Sequence, residues 1–237
     1  MLRRTLLALL ATGALLPGKA LANHPGDLFD PPCHIAKGGK TAPRVALTLD
    51  ACMGGFDHRI MDVLLANDIR TTFFVTARWI AANPAELVAM RQRPDLFRIE
   101  NHGDQHVPAV IGTEPVYGIA PAGTLDAIRR EIKGGADAIT ANQISAPLWY
   151  RDATALYSPE AIELIGQMGY RVAGYSLNAD FGASLAADKV AARIADAKDG
   201  DVIIAHINQP KRASGAGVAE GVLRLKAKGF AFDWLDA

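Results

Sequence analysis

The chain has 237 residues, half of them apolar, with 25 basic and 25 acidic side chains and a formal net charge of zero. This length and apolar content are typical of one sizeable globular domain with a full core. The zero net charge argues against a nucleic-acid-binding protein, because such proteins usually carry a basic face.

The N-terminal residues have the pattern of an export signal. A basic start at Arg3 and Arg4 precedes an apolar run over residues 6–16, and Ala20-Leu21-Ala22 has the form of a cleavage site. We therefore predict a signal peptide over residues 1–22 and an exported protein, periplasmic or extracellular, by the Sec or twin-arginine route. No later run is long and apolar enough to span a bilayer, so we expect no stable membrane anchor.

Two cysteines, Cys33 and Cys52, occur in the chain. In an oxidising compartment an even count of two is most simply one disulfide, so a Cys33–Cys52 bond is predicted. The alternative is that Cys52 ligates a metal ion.

Strands and helices alternate about seven times after an irregular lead-in over residues 23–43. The predicted strands are residues 45–49, 71–75, 97–101, 148–150, 171–177, 202–205 and 230–235. The predicted helices are residues 60–65, one beginning at Asn83-Pro84, 125–140, one from Ser158 to a stop at Gly169, 186–197 and 218–228. This alternation predicts parallel strands covered by helices, as a barrel or an open sheet, in one domain over residues 44–237.

Chemistry-bearing side chains follow the predicted strands. They are Asp50, His102, Arg151, Asn178, Asp180 and His206. Each lies just past the carboxyl end of a strand, where the loops of a β/α barrel build the active site. Random polar residues would fall at both ends, so this placement predicts one catalytic site.

His102 and His106 are four residues apart on one short turn. Neutral imidazole is the commonest protein ligand for zinc and similar ions, so the pair predicts a site for one divalent metal. A zinc protease would need Glu directly after the first histidine, but Gly103 stands there.

Five short motifs carry a resemblance. They are Thr48-Leu49-Asp50-Ala51, His102 to His106, Arg151-Asp152-Ala153-Thr154, Asp180-Phe181 and Ile203-Ile204-Ala205-His206. Together they resemble the polysaccharide deacetylase family with its NodB-homology domain, over residues 45–235. The resemblance implies a distorted (β/α)7 barrel, removal of acetyl groups from N-acetylated sugars of chitin, peptidoglycan or other polysaccharides, and a divalent metal, often zinc.

The resemblance and the chemistry of amide hydrolysis suggest a role for each residue. Asp50 would be the general base and His206 the general acid, while a zinc ion can activate water and polarise the carbonyl. Arg151 would keep Asp50 ionised, and Asp180 would either hold Arg151 or cap a loop. A backbone N–H near Thr154 would face the oxyanion. The candidates for a sugar-stacking wall are Trp149, Tyr150, Tyr175 and Phe181.

The family's second Asp, a metal ligand, is replaced by Ala51, so the third ligand must come from elsewhere. We expect Asp57 first, because Gly54-Gly55 permits a turn back toward Asp50; Asp104, Cys52 and Asp50 itself are the alternatives. Asp57 can also be read as a helix N-cap. A barrel glycosidase and a non-catalytic glycan-binding protein remain as rival functions, and we expect a monomer that binds an acetylated glycan.

Overall fold

The computed structural model describes residues 28–236, so the predicted signal peptide and the start of the lead-in lie outside the described residues. Eight strands form one parallel sheet. They are β1 (Arg44–Ala51), β2 (Thr71–Val75), β3 (Phe97–Asn101), β4 (Trp149–Tyr150), β5 (Arg171–Val172), β6 (Leu177–Asn178), β7 (Val202–His206) and β8 (Ala231–Asp233). The spatial order is β5-β4-β3-β2-β1-β7-β6, with β8 pairing to the start of β1.

Seven helices are present in the described part of the chain. They are α1 (His58–Ala66), α2 (Ala77–Ala82), α3 (Pro84–Arg91), α4 (Leu125–Ala141), α5 (Pro159–Gln167), α6 (Ala187–Ala195) and α7 (Ser214–Ala227). The short α2 was not predicted, and α7 begins four residues earlier than expected. None of these helices is long and apolar enough to cross a membrane.

β1 lies in the middle of the sheet, and its two faces have different roles. Val45, Leu47, Leu49 and Ala51 belong to the largest apolar cluster, with residues of the covering helices α1, α6 and α7. Because side chains alternate along a strand, residues 46, 48 and 50 point to the inner face of the curled sheet. The strand therefore anchors the core with one row and directs Asp50 to the inner face with the other.

The predicted α/β fold, a distorted barrel of parallel strands with outer helices, is confirmed in the form of a curled half-barrel, but the predicted fifth strand is broken. Two short strands take its place over residues 171–178: β5 pairs with β4, and β6 pairs with β7. The lead-in lies across this break, with a bridge between Pro32 and Tyr175. A Cβ at Gly174 would lie 1.7 Å from the Pro31 carbonyl oxygen, so only glycine permits this approach. The lead-in thus bridges the gap between β5 and β6, which do not pair with each other.

The predicted Cys33–Cys52 disulfide is wrong for this structure, because both cysteines are free thiols. The backbone N–H of Cys33 donates to the Tyr175 carbonyl at 3.3 Å, which holds Cys33 at the break in the sheet. Cys52 is buried directly after β1, with its Sγ 3.5 Å from His102 Nε2. The even number of cysteines did not decide the pairing, since the bridges of the lead-in set the position of Cys33.

Candidate active site

The carboxylate of Asp50 lies at the end of β1 in a buried ion pair. Arg151 donates from Nη1 to Asp50 Oδ1 at 2.8 Å and is itself fully buried. Burial alone would raise the pKa of Asp50, but the nearby Arg151 and His102 charges hold that pKa below its ordinary value. Asp50 is therefore kept ionised, as a general base requires.

The guanidinium of Arg151 is fixed from several sides. It also donates to Thr48 Oγ1 at 2.9 Å, to the Ala173 carbonyl at 3.2 Å and to the Gly174 carbonyl at 2.9 Å, and it lies 4.2 Å from the centre of the Phe74 ring. These bonds satisfy a buried cation that would otherwise be costly. Arg151 thus links β1, β4 and the break in the sheet.

His102 and His106 lie on the loop that follows β3, with their ring centres 5.0 Å apart. His102 Nδ1 lies 2.8 Å from the Arg151 carbonyl oxygen. In the tautomer in which Nδ1 carries the proton, this oxygen accepts the ring N–H, and the lone pair of Nε2 is free to bind a metal. His106 has a left-handed φ of 68°, and its Nε2 is buried with no hydrogen-bond partner within residues 28–236. An unpartnered imidazole nitrogen at this position fits a metal ligand.

Glu131 of α4, which the sequence did not single out, holds this loop. Its carboxylate accepts the backbone N–H of Gln105 at 2.9 Å and that of Val107 at 3.1 Å, on either side of His106. Gly103 has a φ of 91°, and a Cβ there would lie 2.5 Å from Glu131 Oε1. The histidine loop can therefore approach α4 only with glycine at this position.

Cys52 completes a group of three potential metal ligands. Its Sγ and one ring nitrogen each of His102 and His106 all lie within 4.8 Å of one another. Burial would lower the pKa of His102, but Asp50 and Cys52 raise it to about 9, so this part of the site attracts positive charge. The donor set and the unpartnered nitrogen both fit a divalent ion.

His206, at the end of β7, is the register partner of Asp50 across β1 and β7. Its Nδ1 donates to Asp180 Oδ1 at 2.9 Å, and its backbone N–H donates to Asp180 Oδ2 at 2.8 Å. Burial would lower the pKa of His206, but Asp180 holds that pKa well above its ordinary value. Asp180 therefore orients and charges His206, whereas it was expected to hold Arg151 or to cap a loop.

The structure does not bring Asp57 to the histidine pair. Asp57 is the N-cap of α1, where Oδ1 accepts the backbone N–H of Arg59 at 3.1 Å and the guanidinium of Arg59 binds both carboxylate oxygens. Gly54-Gly55 were expected to turn Asp57 back toward Asp50, but Asp57 instead caps the start of α1. Asp104 also differs from expectation, because it accepts from the side chain of Gln105 and packs against Gly134 of α4.

The two predicted substrate-binding residues differ in what they offer. The backbone N–H of Thr154 donates to Asp152 Oδ1 at 2.9 Å, so it is already engaged and does not face an oxyanion site. Phe181 is 53% exposed with a left-handed φ of 49°, and its backbone N–H donates to Asn178 Oδ1 at 2.9 Å. The exposed ring next to Asp180 fits a sugar platform.

Of the other aromatic candidates, Tyr150 is fully buried and cannot stack on a ligand, which corrects that expectation. Trp149 and Tyr175 are half-buried. The guanidinium of Arg193 lies 4.8 Å from the Phe181 ring centre and supports one face of it. Phe181 is therefore the best placed of the four predicted aromatics.

Comparison with known proteins gives the chain a family. The sequence profile described as polysaccharide deacetylase matches residues 37–173, more than half of the chain. No match was found among curated proteins.

Solved structures share the fold at low sequence identity. A family 4 carbohydrate esterase from Streptomyces lividans, solved with acetate, has a TM-score of 0.65 and 19% identity, covering 83% of this chain and 93% of its own. A family 4 pseudoenzyme from Bacillus anthracis has a TM-score of 0.67 and 18% identity, covering 87% and 68%. A peptidoglycan deacetylase from Bacillus subtilis has a TM-score of 0.63 and 22% identity, covering 81% and 87%. These likenesses agree with the profile match, and the chain belongs to the polysaccharide deacetylase family.

Proposed function

We propose that the protein is a metal-dependent hydrolase that removes acetyl groups from the N-acetylated sugars of a polysaccharide similar to peptidoglycan or chitin. The observation that carries this proposal is that the register partners Asp50 and His206 each form an ion pair with a buried side chain of opposite charge. Asp50 is held ionised by Arg151, and His206 is held protonated by Asp180. Amide hydrolysis needs such a base and such an acid on either side of one bond.

The roles follow from the contacts of each group. Asp50 accepts the proton of the attacking water, and the buried Arg151 keeps that carboxylate from being protonated beforehand. His206 donates its proton to the sugar nitrogen as the carbon–nitrogen bond breaks, because a neutral amine is a better leaving group than the deprotonated nitrogen anion. Asp180, fully buried, stabilises the imidazolium until that step.

His102 and His106 would hold the divalent metal, which we propose to be zinc. When bound, zinc supplies a Lewis acid that polarises the acetyl carbonyl and makes water acidic. The chain's own contribution is orientation: the Arg151 carbonyl fixes the ring of His102, and Glu131 fixes the loop of His106.

The proposed substrate lies outside the cytoplasm, in keeping with the export signal predicted over residues 1–22. The exposed Phe181 ring beside Asp180 provides an apolar face on which a pyranose ring can stack. The zero net charge of the chain is compatible with a glycan and gives no attraction to a polyanion.

The test is acetate release from acetylated peptidoglycan, chitin oligomers and O-acetylated xylan, with and without a chelator. We expect release from an N-acetylated glycan, loss with the chelator, and recovery with zinc. His206→Ala should retain metal and lose most turnover, while Arg129→Ala on the exposed face of α4 serves as the control. No acetate from any glycan, with zinc bound, would contradict the proposal.

One observation favours a second candidate, a glycan-binding protein without activity. Ala51 stands where the family motif has its second acid, and one of the similar structures is described as a pseudoenzyme. Saturable binding of an acetylated glycan, with no acetate released by the metal-loaded protein, would favour this candidate.

A further inference from the structure

The inner face of β1 does not end at Asp50. Residues 45, 47, 49 and 51 pack in the apolar layer beneath the helices, and residues 46, 48 and 50 alternate with them on the inner face. Cys52 continues this inner row, two residues past Asp50. Its Sγ consequently contacts the ring of His102, whereas Ala51 is fully buried in the apolar layer. The sequence motif alone points to position 51, but the alternation points to position 52.

The separation of the potential ligand atoms fits a single ion. With zinc–sulfur and zinc–nitrogen bonds of about 2.3 and 2.05 Å, two ligands in a tetrahedral arrangement lie about 3.6 Å apart. Cys52 Sγ lies 3.5 Å from His102 Nε2. The third atom belongs to His106, whose buried Nε2 has no hydrogen-bond partner in the part of the chain that the structure describes.

The carboxylates near the histidines are either engaged elsewhere or lie farther from His102 than Cys52 does. Both oxygens of Asp57 bind Arg59, and Asp104 lies against α4. Asp50 Oδ1 binds Arg151, and Asp50 Oδ2 is 3.8 Å from His102 Nε2, farther than Cys52 Sγ. The sulfur is therefore the best placed third donor.

We propose that Cys52 is the third protein ligand of the metal, bound as a thiolate, which makes a Cys-His-His site selective for zinc over harder ions. The inference rests on the proposed function only in taking the site to hold a metal. The thiol proton is released to solvent when the ion binds. Thiolate is a soft donor that favours Zn²⁺ and Co²⁺, whereas Mg²⁺ and Mn²⁺ prefer oxygen ligands. A carboxylate in its place would leave the site less selective.

The test is replacement of the metal by Co²⁺ and measurement of the thiolate-to-cobalt charge-transfer absorption in the near ultraviolet. Wild-type protein and the control Cys33→Ser should both show this band. Cys52→Ser should lose the band and bind zinc at least tenfold more weakly. Cys52→Asp should bind metal without the band, with its preference for Zn²⁺ over Mn²⁺ reduced at least tenfold.

Each outcome decides the inference without reference to activity. A cobalt-loaded wild type without the band, or Cys52→Ser with wild-type zinc affinity, would overturn it. Thermal unfolding of the metal-free variants identifies a folding defect, and Cys52→Asp gives a second answer if Cys52→Ser is unstable. The band without acetate release would refute the proposed function but support Cys52 as a ligand. Acetate release without the band would support the proposed function but refute Cys52 as a ligand.

Discussion

Removal of the Glu131 carboxylate should weaken metal binding, although its hydrogen bonds go to the backbone of the histidine loop and not to the imidazole rings. Its side chain accepts two backbone N–H groups, at 2.9 Å from Gln105 and at 3.1 Å from Val107, on either side of His106. Hydrogen bonds to a charged group are worth about 1.5–3 kcal/mol each. Glu131→Ala therefore destabilises the loop conformation by roughly 3 kcal/mol, part of which water recovers.

Because His106 binds only from this conformation, the lost free energy appears as weaker metal binding. A tenfold change in affinity corresponds to about 1.4 kcal/mol, so we expect zinc affinity to fall about 10- to 100-fold. Glu131→Gln keeps one acceptor oxygen and should fall between wild type and Glu131→Ala. The assay is zinc titration against a competing chelator, with thermal unfolding of the metal-free protein measured alongside.

The matched control is Asp137→Ala, an acidic residue of the same helix whose side chain is 62% exposed and pairs only with Lys133. It should leave zinc affinity unchanged. If Glu131→Ala lowers the stability of the metal-free protein but binds zinc as tightly as wild type, the carboxylate supports the fold alone and the reasoning fails.

Three further predictions concern the ion pairs and the helix cap. Asp57→Ala should lower the free energy of unfolding by about 1 kcal/mol and leave zinc affinity unchanged, because Asp57 caps α1. Weaker zinc binding at unchanged stability would instead show that Asp57 is a metal ligand. Asp180→Asn removes the charge that holds the pKa of His206 high. Since the acid form of His206 is required, the alkaline limb of the kcat profile should move to lower pH, and an unmoved limb contradicts this role. Arg151→Gln removes the cation that lowers the pKa of Asp50, so the acid limb should move to higher pH, provided circular dichroism shows the variant folded.

Much of the fold could be predicted because its signals are local. Apolar runs of strand length alternated with capped helices, and the polar residues that followed the strands indicated one edge of the sheet. The break between β5 and β6 could not be predicted in this way, since there Pro31 of the lead-in lies against Gly174 and Pro32 pairs with Tyr175. Contacts between distant segments leave no period in the sequence.

The site was predictable in part for the same reason. Asp50, His102, Arg151 and His206 each lie at the end of a strand or just after it, but the partner of Asp180 and the position of Asp57 depend on packing. The sequence also contained a signal for Glu131 that the sequence analysis did not use. It lies on the face of α4 that buries Ile128, Ile132 and Ile139, where a charge without a partner would be costly. A charged residue on the apolar face of a helix is a reason to expect that it binds something beneath it.

The partners of the Asp50 and Asp180 carboxylates also argue against the glycosidase interpretation. A glycosidase needs one carboxyl group that is protonated and donates to the leaving oxygen, and a second that is free to attack or to activate water. Here Asp50 is bound to Arg151, and Asp180 gives both oxygens to His206. Neither carboxylate is placed to act as the acid, whereas the imidazole of His206 is. We therefore expect the proton donor of this site to be the imidazole of His206, beside the two histidines that we propose hold the metal, an arrangement suited to breaking an amide and not a glycosidic bond.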